Sequence, residues 1–421
     1  MKPIKLIPFL LFLSLGFGSQ AQELTIGLQV RPRFEFRNGY KNLRDEAAEP
    51  ASFISQRSRL GLSYTEDKLR VHLSLQNVIT WGDELPGSVS DRNSTGLYEA
   101  YASFQFTDFI GVKAGRQVLS YDNERIFGEG NWTQAARTHD AFLIKISPDD
   151  RQQVDIGIAF NSDEEGLKKF PYTTKNYKSL EYAWYHADLA PLSLSLLFLN
   201  AGYERVELDG GLKNDYQQTF GGFIKFIESK FRADAAFYSQ MGKREGQSLD
   251  AWYASSNVNY MVTSNLSAGL GFEYLSGSSQ TRTSEANRSF IPLFGTNHAF
   301  NGAMDYFYVG NHQNSVGLKD FYGKLEYTQP KYSVQIKPHV FYAAESILSS
   351  DANIAMDEYL ATEIDISASY NVQKNLTVNL GYSQVFGTNS LEQLRGGDSS
   401  LSQNWAWLSL TFNPSFKILS K

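Results

Sequence analysis

Residues 116–140, RQVLSYDNERIFGEGNWTQAARTHD, contain the residue types best suited to chemistry in this chain. The stretch holds three arginines, four acidic residues, two glycines, Tyr121 and Trp132. Guanidinium groups bind carboxylates and other anions, and flat aromatic faces stack on sugar rings. The composition therefore fits an active site, a ligand-binding loop, or a surface loop held by its own ion pairs.

Catalysis is the least favoured of these interpretations. His139 and Asp140 could imitate a general base and its orienting carboxylate, but residues at the rim of a fold explain the pair equally well. His72 lies near Arg70, yet no Ser-His-Asp arrangement can be assembled from spacing alone. The chain has no cysteine, which excludes disulfides, thiolate metal sites and a Cys nucleophile. We predict no catalytic residue, no metal and no cofactor.

The first 21 residues have the pattern of a signal peptide. A lysine-containing start precedes an apolar run at residues 4–17, and small residues allow cleavage after Ala21. No cysteine follows the run, which argues against a lipoprotein. We predict a signal peptide at 1–21 and one exported domain at 22–421.

Composition narrows the class of the exported domain. The net charge is −6 without a basic block, so no nucleic-acid partner is expected. No later window holds 18 uncharged apolar residues, whereas Tyr and Phe are frequent, at 24 and 29. These features are typical of a bacterial outer-membrane β-barrel, with a secreted β-sandwich array or a β-helix as the alternative.

Alternation of apolar and polar residues runs along the whole domain, as in residues 24–31. Counting such segments predicts about eighteen strands, mostly long enough to cross a bilayer at a tilt. They lie near 24–37, 53–65, 69–80, 96–107, 109–119, 139–147, 152–161, 179–189, 192–202, 216–228, 230–239, 250–262, 266–276, 317–328, 332–343, 358–371, 375–386 and 403–412.

The connections between these segments alternate between tight turns and loops of ten or more residues. This rhythm predicts a single transmembrane antiparallel β-barrel of about 18 strands, with short periplasmic turns and long extracellular loops. A soluble β-sandwich does not require this alternation of short and long connections. The first strand follows the signal peptide directly, which leaves no room for the plug domain of a TonB-dependent transporter.

Polar residues of the early strands share one phase, which should face the lumen because the apolar phase faces lipid. A barrel of this size leaves an aqueous channel, and arginines that line it favour anions. Pairing of single arginines with Glu35 or Glu99 is the alternative role. The predicted pore-lining cations are Arg31, Arg33, Arg37, Arg57, Arg59, Arg70 and Lys113.

The stretch that opened this section also resembles a known family. Gly115-Arg116-Gln117, Tyr121, Arg125, Gly128, Asn131-Trp132 and Arg137-x-x-Asp140 resemble the alginate-export family of outer-membrane barrels. The resemblance implies an eighteen-strand monomeric barrel with an arginine-rich lumen that passes an anionic polysaccharide.

We therefore expect residues 116–140 to form an outer loop between strands five and six. Arg116 falls out of the lumen phase, which suggests a bulge or the membrane rim. Internal ion pairs should fold the loop inward as a constriction, and Tyr121 and Trp132 could anchor at the membrane interface or stack on a sugar. The predicted constriction motif comprises Arg116, Gln117, Tyr121, Arg125, Trp132, Arg137 and Asp140.

The predicted function is passive passage of anionic solutes, including an anionic oligo- or polysaccharide such as alginate. A general or small-anion porin is the alternative, and an outer-membrane barrel hydrolase is less favoured because enzyme barrels usually have fewer strands. The expected partners are the Gram-negative outer-membrane bilayer, the outer-membrane assembly machinery and the solute. The barrel is expected to be a monomer.

Overall fold

The computed structural model describes residues 22–83, 94–174, 176–282, 284, 286–307, 315–350 and 354–420. The predicted signal peptide, residues 1–21, lies outside the described residues. The strands are β1 (Gln22–Asn38), β2 (Ala51–Glu66), β3 (Leu69–Thr80), β4 (Ser94–Gln105), β5 (Ile110–Gln117), β6 (His139–Asp149), β7 (Gln152–Phe160), β8 (Ser179–Leu189), β9 (Leu192–Val206), β10 (Leu212–Glu228), β11 (Phe231–Arg244), β12 (Gln247–Met261), β13 (Leu266–Leu275), β14 (Ala286–Asn287), β15 (Leu318–Thr328), β16 (Tyr332–Tyr342), β17 (Tyr359–Gln373), β18 (Leu376–Gly387), β19 (Gln403–Phe412) and β20 (Ser415–Ser420).

The strands close into one antiparallel barrel with eighteen positions. β19 and β20 pair with β1 in one continuous register, from Arg37 opposite Trp405 to Gln22 opposite Ser420, and so count as a single strand. β14 is a two-residue strand inside a loop and is not part of the wall. The predicted fold class, an antiparallel barrel of about 18 strands, is confirmed.

The predicted rhythm of turns and loops has two exceptions. Residues 207–211 connect β9 to β10, and residues 245–246 connect β11 to β12, so both outer connections are short. The sequence placed longer loops here because adjacent polar residues, as in Glu204-Arg205 and Asn214-Asp215, put polar side chains on both faces and hide the alternation. Arg205 and Asp215 both point inward. These two side chains pair across the hairpin at 3.1 Å and extend it.

Two short helices lie in the outer connections. A 3-10 turn covers Asn297–Ala299, and α1 covers Asn389–Arg395, where the Thr388 side chain caps the first turn. None of the helices in the described ranges is long and apolar enough to span a membrane.

The outer face of the wall is apolar, as the alternation predicted. On β1, Leu28, Val30 and Phe34 are each about 40% exposed, whereas Arg33 and Glu35 between them point inward and are buried. Lipid solvates the apolar side chains, while charged groups require the interior.

The hydrophobic core lies inside the barrel. Many inward side chains of β8–β13, such as Tyr182 and Tyr253, are apolar or aromatic, and they pack against loop residues such as Phe127 and Phe290. The polar inward phase that was predicted for the early strands therefore does not continue on this side of the barrel. Loops that fold inward replace water there, so apolar side chains are stable on both faces of these strands.

Candidate functional site

Two outer connections fold into the lumen and meet there: the β5–β6 loop, residues 118–138, and the β13–β15 loop, residues 276–317. Phe127 and Phe294 form an isolated parallel bridge between them. The Gly128 N–H donates to the Phe294 carbonyl at 2.9 Å, and the Thr296 N–H donates to the Glu124 carbonyl at 2.9 Å. The two loops therefore form one joined body across the lumen.

Arg31 on β1 anchors the β5–β6 loop. Its guanidinium donates to the carbonyls of Asn131 at 2.8 Å and Thr133 at 3.0 Å, and to Gln134 Oε1 at 2.9 Å. A planar guanidinium with several N–H donors can bind several neighbouring carbonyl groups at once, which an ammonium group does less well. The loop thus lies on the inner surface of β1.

Arg33 and Arg57 extend this anchor. Arg33 donates to the Trp132 carbonyl at 2.7 Å and to Glu35 at 2.9 Å. Arg57, which is nearly fully buried, donates to Asn131 Oδ1 at 2.8 Å. Each of these bonds has a charged donor, which makes it stronger than a neutral bond.

Arg59 on β2 supports the adjacent part of the loop. Its guanidinium lies 3.5 Å above the Tyr98 ring, and Nη1 is 3.6 Å from Glu129 of the loop. Gln76 accepts from Arg59 at 2.5 Å and donates to the Ala135 carbonyl at 2.9 Å. The predicted arginine cluster therefore binds the loop and the barrel wall as well as lining the lumen.

The other predicted pore-lining cations lie away from this anchor. Arg37 pairs with Glu35 at 2.8 Å. Arg70 and Lys113 lie closer to the periplasmic turns. Arg70 is exposed and makes a 3.5 Å contact with the Ser63 hydroxyl. Lys113 lies 3.8 Å above the Tyr101 ring.

The β13–β15 loop is anchored by carboxylates to β17, which lies three strands from β1 around the barrel. Glu363 on β17 accepts from the Met304 N–H at 2.7 Å, and Asp365 accepts from the Ala303 N–H at 3.2 Å. Gly302 has a φ of 85°, and a Cβ there would lie 2.3 Å from Glu363 Oε2. Only glycine allows this approach of backbone to carboxylate.

Asn301 joins both loops to carboxylates on β13 and β15. Its amide donates to Glu273 on β13 at 3.0 Å and to Asp320 on β15 at 3.2 Å, and its oxygen accepts from Arg125 at 2.8 Å. Sequence reasoning missed these carboxylates. Their inward phase on the strands was a signal, but nothing in it indicated that Asn301, 28 and 19 residues away, would be their partner.

Of the ion pairs predicted within residues 116–140, Arg116–Asp140 forms, whereas Arg125 and Glu129 pair with the barrel wall. Arg125 Nη2 lies 3.2 Å from Glu273 on β13, and Glu129 lies near Arg59 on β2. Arg137 donates to the Gly295 carbonyl of the other loop at 2.8 Å. The charged side chains point away from their own loop because the barrel wall and the second loop surround it.

Arg116 and Asp140 are not part of the constriction, which corrects the predicted motif. They form a two-bond pair at 2.8 Å between β5 and β6, with side chains 44% and 55% exposed on the outer face. Gln117, the next residue, points inward and is buried, donating to the Ala141 carbonyl at 2.9 Å. Arg116 therefore lies at the rim, as its phase suggested.

Tyr121 and Trp132 lie in the lumen with their faces covered. Tyr121 donates to Asp155 on β7 at 2.9 Å and packs 4.7 Å from Trp184. Burial raises the pKa of Tyr121 far above its usual value, so the hydroxyl remains a donor. Trp132 stacks on His298 at 4.1 Å, so neither aromatic residue anchors at the membrane interface or offers a free face to a sugar.

The two histidines that the sequence singled out, His139 and His72, form no catalytic constellation. His139 is buried with Nδ1 2.8 Å from the Tyr177 hydroxyl, whereas Asp140 faces outward, so the two do not pair. His72 lies 2.6 Å from Ser63, but its Nε2 is 3.6 Å from Glu99, which is too long for a hydrogen bond. Within the described ranges, no group of three or more His, Asp or Glu side chains could hold a metal ion.

Comparison with known proteins agrees with this geometry. Residues 22–162 match the alginate export family. No curated protein matches the chain by sequence. Among solved structures, OccAB4 of Acinetobacter baumannii has a TM-score of 0.63 at 14% identity, covering 94% of this chain and 99% of that one.

Two further solved structures have the same fold. OccK9 (OpdG) of Pseudomonas aeruginosa has a TM-score of 0.62 at 13% identity, covering 93% and 98% of the two chains. A BenF-like porin from Pseudomonas fluorescens has a TM-score of 0.62 at 12% identity, covering 93% and 99%. At identities of 12–14%, these matches show a shared fold. The chain is an antiparallel β-barrel with the porin fold, and its predicted resemblance to the alginate export family is confirmed over residues 22–162.

Proposed function

We propose that the protein is a channel for the passive passage of anionic solutes across the outer membrane. Cations line β1, β2, β3 and β5 on the lumen side, and the carboxylates nearest them are Glu35, Glu99 and Glu129. Loops that narrow the lumen bring a passing solute close to this wall, where fewer water molecules screen the charge. The cations are Arg31, Arg33, Arg37, Arg57, Arg59, Arg70 and Lys113.

Arg70 and Lys113 carry this proposal. In the part of the chain that the structure describes, neither forms an ion pair, and their contacts are the Ser63 hydroxyl and the Tyr101 ring. The anchoring arginines keep their charge while they hold the loop, so they contribute to the field. Arg70 and Lys113 are the groups free to exchange water for a carboxylate or phosphate.

The larger candidate solute is an anionic oligo- or polysaccharide such as alginate, as the family match suggests. The second candidate is a small-anion porin, favoured by the joined loops across the lumen. A continuous polysaccharide would have to displace these loops, whereas a small anion would not. Alginate oligomers added to one side should block a chloride current if the larger solute enters the lumen.

The deciding experiment is the reversal potential of the purified barrel in a planar bilayer under a salt gradient. We expect the sign of the reversal potential to show that the channel prefers anions. Cation preference, or the absence of any conductance, would overturn the proposal.

We further propose that residues 1–21 act as a cleaved signal peptide and that residues 22–421 form one monomeric domain inserted by the outer-membrane assembly machinery. The long apolar strands and the extended closing strand at the C-terminal end support insertion into a bilayer. Mass spectrometry of protein from the outer-membrane fraction should give an N-terminus at Gln22.

A further inference from the structure

Two cavities lie on either side of one pair of aromatic rings. A cavity of about 180 Å³ is enclosed by the two lumen loops, with Gly130 and Gly295 in its lining. A cleft of about 390 Å³ runs along the inner wall formed by β15–β19. Trp132 and His298 line both. The pair therefore separates the space between the loops from the cleft along the wall.

The two rings are contacted on several sides. They stack with centroids 4.1 Å apart and an angle of 14°. The Arg33 guanidinium lies 3.9 Å from the Trp132 ring centre, so Arg33 and His298 must occupy opposite faces of the indole. His298 Nδ1 is 2.8 Å from Asp305, and the edge of buried Trp405 backs both rings at 5.5 Å.

The side chain of Trp132 does not anchor its loop. Arg33 binds the Trp132 carbonyl at 2.7 Å, and Arg31 binds the neighbouring carbonyls of Asn131 and Thr133. These bonds use backbone atoms and would persist without the indole. The ring therefore closes space and is not needed to hold the loop in place.

The cleft beyond the pair offers free polar groups. Ser333, Gln335, Ser367, Ser369 and Asn379 line it from three neighbouring strands. Across the described ranges, none of these side chains hydrogen bonds to another protein group. A solute that passes the rings meets hydroxyl and amide groups that can replace its water.

We propose that the Trp132–His298 pair is the narrowest point of the solute path and sets the size limit of the channel. This inference rests on the proposed channel function. A small polar solute passes when the rings part, enters the cleft and exchanges water for the serine and amide groups of its wall. The pair acts by sterics, so it affects neutral and anionic solutes alike.

The test uses the full-length mature barrel with Trp132→Ala and, separately, His298→Ala. Single-channel conductance should rise about twofold, because the two cavities become continuous. Proteoliposome swelling with neutral sugars of increasing size should show a larger cut-off. Heat-modifiable migration on gels reports that each variant forms the barrel.

Two control variants keep the test specific. His298→Phe preserves a flat ring at the same place and should keep the wild-type conductance and cut-off. Trp252→Ala removes a tryptophan on the lipid-facing side, where it is 41% exposed, and should change neither measurement.

The outcomes separate this inference from the proposed function. A wild-type channel whose conductance and cut-off are unchanged by both alanine variants overturns the pair but leaves the channel. A wild-type barrel without conductance overturns the proposed channel, and the pair with it. If no variant conducts or swells, both the pair and the channel are wrong.

Discussion

Arg125 and Glu273 form a buried ion pair that joins the β5–β6 loop to the barrel wall. Arg125 Nη2 lies 3.2 Å from Glu273 Oε2, and the side chains are 1% and 3% exposed. The same guanidinium nitrogen donates to Asn301 of the β13–β15 loop at 2.8 Å. One arginine thus connects both lumen loops to β13, so its removal should affect both.

The pair predicts unequal costs for single and double substitutions. Arg125→Met leaves the Glu273 carboxylate buried without its cation, which costs about 3–5 kcal/mol in proteins generally. Arg125→Met with Glu273→Met removes both charges and should recover much of the loss. Thermal unfolding of the detergent-solubilised barrel measures this. A double variant no more stable than Arg125→Met would contradict the interpretation.

Arg31 should be more important for loop position than an exposed arginine. Arg31→Ala removes five bonds to the β5–β6 loop. A bond with a charged donor is worth about 1.5–3 kcal/mol. Open-channel noise and protease cleavage within residues 118–138 should both increase. Arg116→Ala is the matched control, since exposed ion pairs contribute at most about 1 kcal/mol. Equal behaviour of the two variants would refute the anchor.

Charge selectivity should depend on Arg70 and Lys113. The double variant Arg70→Ser with Lys113→Ser removes two cations that hold no loop, so anion preference should fall by roughly half while conductance changes little. Arg57→Ser with Arg59→Ser should instead disturb the loop and change both quantities. Reversal potentials and single-channel currents distinguish these results. Unaltered selectivity in the first variant would reassign the selectivity residues.

An outer loop should respond to acid. Asp163 accepts the Thr173 N–H at 2.6 Å and the Thr173 and Thr174 hydroxyls, and these bonds lower its pKa from 3.8 to about 2. Because the folded pKa is the lower one, the stabilisation is present above pH 3.8 and is lost as the pH falls through about 2.

Hydrogen exchange tests this directly. The Thr173 amide should be protected at pH 5, and its protection factor should fall towards that of Asp163→Asn as the pH approaches 2. Intrinsic exchange rates must be corrected for pH. A protection factor that stays constant down to pH 2 would show that the carboxylate does not hold the loop.

The sequence determined the wall of this barrel. Strict alternation of apolar and polar residues along β1–β3 indicates that one face of each strand contacts lipid. This pattern is visible in the sequence of each strand by itself. That is why the strand count and the inward phase of Arg31, Arg57 and Lys113 could be predicted. Where alternation weakens, as at the ends of β9–β12, strand ends were misplaced because both faces there carry polar residues.

Only the tertiary structure decided how the lumen is filled. The sequence indicated that residues 116–140 form an outer loop, but not that Arg125 contacts Glu273 or that Trp132 stacks on His298. Such contacts join residues more than 140 positions apart, and their geometry depends on barrel closure. The periodicity of a sequence indicates which face of a strand each residue occupies. The position of a loop inside the lumen depends instead on its contacts with several strands that are distant in sequence.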